Sequence, residues 1–389
     1  MSRKFIQIRF YRSSDGVKSN GGRTLVDFDG ITELSKLTEL LFGLFRRTIP
    51  SVPFVPKILV IRFCSTSRGQ DLAGEDNCVS SDQSMSVSIN DVLAKLDTIL
   101  LGKDQAVRLA FCCLLARGHL LIEDVPGVGK TTLAHALAKI FGLEFRRVQF
   151  TSDLLPADVL GNSIFDPASR QFVFHAGPIF TQMLLADEVN RATPKAQSAL
   201  LEAMEEGQVT IDGVTHFLPV PFFVIATQNP QRQIGTYPLP ESQLDRFLMR
   251  LQVGFPGRRA EKEMLAGQDR RDVIRHLTPL VSADQLLAWQ ESVRDLHVSD
   301  AVRDYILDLL DKSRQVDNAG AGLSPRAGLA LQRSAQAWAF AAGRDMVVPE
   351  DVQAVAPNVI AHRLGSSLGG PEDSGLSLTE KIIRAVPVR

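Results

Sequence analysis

The chain has 389 residues, more than one compact core usually holds, so two folded units plus an extension are expected. With 44% hydrophobic and 22% charged residues it has the composition of a globular protein, and no apolar run reaches the ~18 residues of a membrane span. Its 43 basic residues offset 44 acidic ones, and a net charge of -1 without a concentrated cationic face argues against general nucleic-acid binding.

Residues 1 to 84 differ in character from the rest. "ITELSKLTELLFGLFRR" has the spacing of one amphipathic helix, and the Ser-, Asp- and Gly-rich "CSTSRGQDLAGEDNCVSSDQSM" reads as a linker or disordered segment. Ordered sequence begins just after Met85, which makes residues 1 to 84 a disordered or mis-annotated extension and Met85 the expected true start. The first 25 residues are basic but lack a signal-peptide core. Cys64, Cys78, Cys112 and Cys113 show no metal-ligand spacing, and the expectation is reduced core thiols in a cytoplasmic protein.

From 85 to 256 short apolar runs alternate with helix-like stretches. "HLLIED", "FRRVQF", "QMLLADE" and "PFFVIATQNP" have strand length, while "KTTLAHALAKIFG" and "PKAQSALLEAMEEG" have helical spacing. That alternation predicts an α/β core, a parallel sheet covered by helices on both faces. From 257 to 389 strands vanish; "SADQLLAWQESVRDL" opens on the capping pair Ser282 and Gln285, and the remaining stretches keep helical spacing. An all-helical second domain is predicted.

The chemistry is concentrated at "IEDVPGVGKTT", between a predicted strand and a predicted helix. It nearly matches the phosphate cradle G-x-x-x-x-G-K-[ST], but Asp124 stands where the first glycine belongs. The working half, "PGVGKTT", is intact: Pro126, Gly127, Val128 and Gly129 form the turn, Lys130 reaches the phosphates, Thr131 offers a hydroxyl to Mg²⁺, and Thr132 completes the nucleotide-binding set. An Asp124 carboxylate turned away from the phosphates and accepting loop N-H bonds reconciles the substitution with the motif. Without its strand and helix, the match would be an ordinary glycine turn.

Mg²⁺ takes carboxylate oxygen together with substrate phosphates, so an acid is expected at the end of a second buried strand. "MLLADE" supplies Asp187 for the metal and Glu188 as general base toward the attacking water. Asn229, near the end of "PFFVIATQNP", is a candidate to orient that water or contact the γ-phosphate, with a capped strand end as the structural alternative. Arg246 in "LDRF" and Arg326 in "SPRAG" are either surface ion pairs worth under ~1 kcal/mol or guanidinium groups delivered to a γ-phosphate.

The ordered set "GHLLIEDVPGVGKTTLA", "LLADEVNRATPKAQSALLEAMEE", "ATQNP", "GTYPLPESQLDRF" and "SPRAG" resembles the MoxR family of AAA+ ATPases over about residues 87 to 365. The resemblance implies a P-loop core with a helical lid and a homo-oligomeric ring, usually a hexamer, binding ATP and Mg²⁺ between subunits. It assigns Lys130 and Thr131 to Walker A, Asp187 and Glu188 to Walker B, Asn229 to sensor 1, Arg326 to sensor 2 and Arg246 to the arginine finger. Gly102 in "ILLGKDQAV" falls in the adenine-pocket segment; Arg191 in "NRA" is a motif position without an assigned role. Residues 151 to 180 and "GQVTIDGVTHFLPVPFF" resemble family insertions that line the pore face, the second turning at Asp212-Gly213. The implied activity is ATP-driven motion of lid against core that remodels a protein client, including partners with a von Willebrand factor A domain. A nucleotide-binding scaffold with negligible turnover and, behind it, a nucleic-acid motor are the alternatives.

Overall fold

The computed structural model describes residues 4–8, 24–28, 61–65, 87–229, 235–267, 270–316, 322–364 and 375–388. The chain divides at residues 83 and 84 into two units. In the first, β1 (Lys4–Ile8) lies between β2 (Thr24–Phe28) and β3 (Ile61–Ser65), antiparallel to both, with Ile6 opposite Val26 and Phe63. The extension expected to lack order therefore contains three strands among its described residues. The expected amphipathic helix, residues 31 to 47, lies outside those residues, as does the linker beyond Ser65.

The second unit opens with α1 (Ile89–Ile99), whose Ser88 cap and Asp91 satisfy each other's backbone N-H groups, and α2 (Asp104–Leu115). Five strands form its central sheet: β4 (Leu120–Glu123), β5 (Phe145–Gln149), β8 (Met183–Asp187), β11 (Phe223–Gln228) and β12 (Met249–Leu251). Their order is β12-β4-β11-β8-β5 and every pairing is parallel. Central β8 and β11 are buried at every residue, as strands covered on both faces must be, whereas edge strand β5 is largely exposed or half-buried.

Side-chain alternation sorts two cores. Leu120, Ile122, Leu185 and Ile225 join a cluster with α2, α3 (Lys130–Ile140) and the C-terminal helices, while Leu121, Leu184, Val224 and Ala226 pack with α5 (Pro194–Glu206) on the other face. Two antiparallel hairpins stand out from the sheet: β6 (Gly161–Asp166) with β7 (Gln171–Ala176), following short α4 (Pro156–Leu160), and β9 (Gln208–Ile211) with β10 (Val214–Phe217). Asp212 and Gly213 both have positive φ, 52° and 79°, the tight-hairpin geometry expected at that pair.

After α6 (Glu241–Leu244) and β12 the described elements are helices: α7 (Arg258–Ala266), α8 (Arg270–Arg275), α9 (Ala283–Arg294), α10 (Asp300–Ser313), α11 (Pro325–Ala341), α12 (Pro349–Ile360) and α13 (Gly375–Ala385). Ser282 caps α9 by accepting from Gln285 N at 3.2 Å, which is one half of the expected capping box; the return bond, from the Ser282 N-H to the Gln285 side chain, is not formed among the described residues. These lid helices extend the α2-side core: Leu309, Leu331 and Val355 share its cluster, and the Cys112 thiol points to the Ala337 carbonyl. Cys112 and Cys113 are fully buried and unpaired, and burial pushes the Cys112 thiol up to about 12, so both are packing residues.

Candidate active site

Because the strands are parallel, their C-terminal ends share one edge, and three of those ends carry the expected residues. β4 runs into the glycine loop and α3, β8 into Glu188, and β11 into Asn229. Gly127 and Gly129 have φ of 88° and 101°. Nothing lies within 4 Å of where a Gly127 Cβ would sit, so conformation rather than crowding requires glycine there. Gly129 begins α3 without a side-chain cap, which leaves first-turn N-H groups available to an anion. Pro126 and Thr131 are exposed, Val128 is buried and Thr132 half-buried.

The Lys130 ammonium is only 8% exposed and donates to Asp124 O at 2.5 Å. Burial lowers its pKa, while the charges of Asp124, Asp187 and Glu188 oppose that shift, so the lysine senses loop and acids together. Asp124 behaves as its position required: Oδ1 accepts from Val125 N at 2.8 Å and Oδ2 from Gly254 N at 2.5 Å. Gly102, with φ 67°, lies beside a cavity of about 410 Å³ also lined by Lys103, Val253 and Asn358.

Asp187 is held on both oxygens. Oδ1 accepts from the Thr227 hydroxyl at 2.5 Å, and Oδ2 from Arg147 Nη2 at 2.6 Å. Glu188 occupies the left-handed region, φ 58°, which bends its side chain off the strand direction; its N-H donates to Thr227 Oγ1 at 2.9 Å. Its carboxylate accepts from Asn229 Nδ2 at 3.2 Å and from Arg191 Nη1 at 2.8 Å. Arg191, which the sequence left without a role, is thus an ion-pair partner of Glu188.

Among the described residues no group of three or more His, Cys, Asp or Glu side chains could hold a metal by itself. One carboxylate, Asp187 at the end of β8, and one exposed hydroxyl, Thr131 in the first turn of α3, are donors of the type that a hard cation takes together with phosphate and water, a chemistry that fits Mg²⁺.

Arg246 and Arg326 are not gathered with these groups. Both pair with Glu205, at 3.2 Å and 3.0 Å, and Arg326 also approaches Asp245 at 3.6 Å. Arg246 precedes the start of β12, so it lies at the N-terminal edge of the sheet, opposite the phosphate loop. Glu205 agrees: it ends α5, about 18 Å of helix beyond the turn that follows the acids. Sequence reasoning missed Thr227, Arg147 and Lys103, which hold site residues from neighbouring strands and loops. It also missed Arg363, buried to 6% exposure, which clamps Asp245 at 2.6 Å and the Phe247 carbonyl at 2.8 Å. Thr227 and Lys103 lie inside the segments "ATQNP" and "ILLGKDQAV" but their partners are distant in sequence, and no motif contains Arg147 or Arg363.

Residues 119–249 match the model of the ATPase family associated with various cellular activities (AAA), and residues 312–385 that of the AAA lid domain. The chain is 46% identical over 269 residues to the uncharacterised protein YeaC of Bacillus subtilis, covering 69% of this chain and 84% of that protein. It is 39% identical over 291 residues to the chaperone MoxR1 of Mycobacterium tuberculosis, covering 71% and 75%. A crystal structure of an ATPase candidate from Cytophaga hutchinsonii superposes with a TM-score of 0.68 at 36% identity, covering 77% of this chain and 94% of that one. With the phosphate loop, the acids and the helical lid in these places, the chain belongs to the MoxR family of AAA+ ATPases.

Proposed function

We propose that this ATPase assembles head to tail into a closed ring, a hexamer by family resemblance, and splits ATP with Mg²⁺ at each junction between copies. One observation carries this: loop, acids and Asn229 occupy one edge of the sheet, and Arg246 and Arg326 the opposite edge. A copy cannot bring its own arginines to its own phosphates, but a heterologous contact places one copy's arginines at the next copy's site. Loop N-H groups and Lys130 hold the phosphates, while Thr131 and Asp187 hold Mg²⁺, which when bound offsets phosphate charge. Glu188 accepts the proton of the attacking water and Asn229 orients that carboxylate. Arg246 and Arg326 of the adjoining copy stabilise charge on the γ-phosphate, and the cavity beside Gly102 receives adenine.

Two dead variants test the arrangement. Glu188→Gln keeps its arginines but lacks the base, and Arg246→Ala keeps the base but lacks a finger. Each alone should lose turnover while binding ATP; mixed in equal amounts they should regain hydrolysis at about one junction in four if copies mix at random. A mixture as inactive as its components overturns the shared site.

The hairpins support a protein client. Phe172 and Phe217 are 73% and 78% exposed, and a cavity of about 380 Å³ opens between the hairpins, where Phe174 stacks on His216 at 3.9 Å. Exposed aromatic residues around a cleft suit an apolar segment of another chain. The family resemblance supports a von Willebrand factor A domain partner, and affinity capture that recovers none would remove that support. No described helix is long and apolar enough to cross a membrane, and the buried unpaired thiols support residence in the cytoplasm.

A further inference from the structure

Asp124 does more than tolerate a missing glycine. Its φ is not in the left-handed region, so the backbone has no need of glycine at this position. Its carboxylate reaches across to Gly254 N at 2.5 Å, just after β12. From the other side the buried Lys103 ammonium donates to Val253 O at 2.8 Å and Gly254 O at 2.6 Å. Adjacent Glu123 pairs with Arg250 at 3.0 Å, and the Arg250 carbonyl accepts from Asn358 of the lid at 2.9 Å. Lys103, Arg250, Val253 and Asn358 all line the 410 Å³ cavity. The start of the phosphate loop and the wall of that cavity are therefore tied by charge-assisted hydrogen bonds, the stronger kind.

We propose that Asp124 is a positioning residue: with Lys103 it knots the start of the phosphate loop to Val253-Gly254 and so fixes the phosphate cradle relative to the base pocket. A nucleotide bound at both ends gains from both only when their separation is set beforehand, because a loose joint must be ordered on binding. Glycine at this position, the usual residue of the motif, would leave Gly254 N without its acceptor. Restoring the common motif should therefore weaken the site.

This rests on the cavity being the base pocket, and the test separates the two ideas. Affinities of the full-length protein for ATP and for inorganic tripolyphosphate, which has no base, are measured by competition. Wild type should prefer ATP. Asp124→Gly keeps the backbone carbonyl that Lys130 uses, and Lys103→Met leaves the loop sequence intact; each should shrink that preference by roughly tenfold, the scale of one lost charge-assisted bond. Asp124→Asn, which retains an acceptor oxygen, should keep most of it. General destabilisation would lower both affinities together, and melting of the nucleotide-free protein reports folding. Should Asp124→Gly fail to fold, Lys103→Met carries the test alone. An unchanged ATP-to-tripolyphosphate ratio in the folded variants overturns the knot. No preference for ATP in wild type would instead overturn the base-pocket assignment.

Discussion

The Thr227 hydroxyl donates to Asp187 Oδ1 and accepts from the Glu188 N-H, so one buried oxygen sets the geometry of both acids. A left-handed glutamate costs about 1–2 kcal/mol, and the bond from its N-H to Thr227 helps offset that cost. Thr227→Val preserves shape in the fully buried strand β11 and removes only the oxygen, leaving the half-buried Glu188 N-H and an Asp187 carboxylate oxygen each short of a partner. Turnover should fall by about 10- to 100-fold, with a higher Mg²⁺ requirement, and stability by about 1–3 kcal/mol. Thr227→Ser should restore most of both. Turnover across a Mg²⁺ titration, beside thermal melting, checks it; normal kinetics in Thr227→Val would dissociate the hydroxyl from the acids.

At the scale of elements, the segment between α6 and β12 carries Arg246 and is gripped from the lid. Arg363, just past α12, pairs with Asp245 and donates to the Phe247 and Leu248 carbonyls, while His362 contacts the Phe247 carbonyl at 3.3 Å. Lysine keeps the charge but cannot reproduce a planar fork with several donors. Arg363→Lys should lower thermal stability and reduce turnover several-fold, while ATP affinity stays within about twofold because the phosphate loop is on the other edge. Equal loss of ATP affinity and turnover would show that the clamp supports the whole fold rather than the arginine. The glycine loop, the strand-helix alternation, the Ser282 cap and the Asp212-Gly213 turn were legible because each depends on neighbours in sequence. The family resemblance, not spacing, implied that Arg246 serves a neighbouring copy; that Arg326 pairs on the same side as Arg246 was not legible, because it depends on β12 lying beside β4 across more than 120 residues. Thr227, Arg147 and Arg363 were hidden for the same reason: their partners come from other strands or from another helix.

For the molecule as a whole, the sheet's two faces close differently. One is sealed by α5 and its neighbours, the other by a core continuous with the lid. The α5 face contains a half-buried titratable group, His119, just before β4. Val224 N donates to its Nδ1 at 3.0 Å, so Nε2 carries the single proton and donates to the Met204 carbonyl at 3.1 Å; the ring is neutral. Burial lowers its pKa from 6.5 to about 4. The unfolded chain therefore takes up this proton below pH 6.5, whereas the folded chain does not until about pH 4. Unfolded molecules bind more protons in that window, so stability is lost as pH falls through it, by an amount on the order of 3 kcal/mol, with no contribution above it. His119→Gln can offer one acceptor and one donor without titrating, so its melting temperature should decline less steeply than that of wild type between pH 6.5 and pH 4. Parallel melting curves for the two proteins across that range would show that acid destabilises the molecule through other groups.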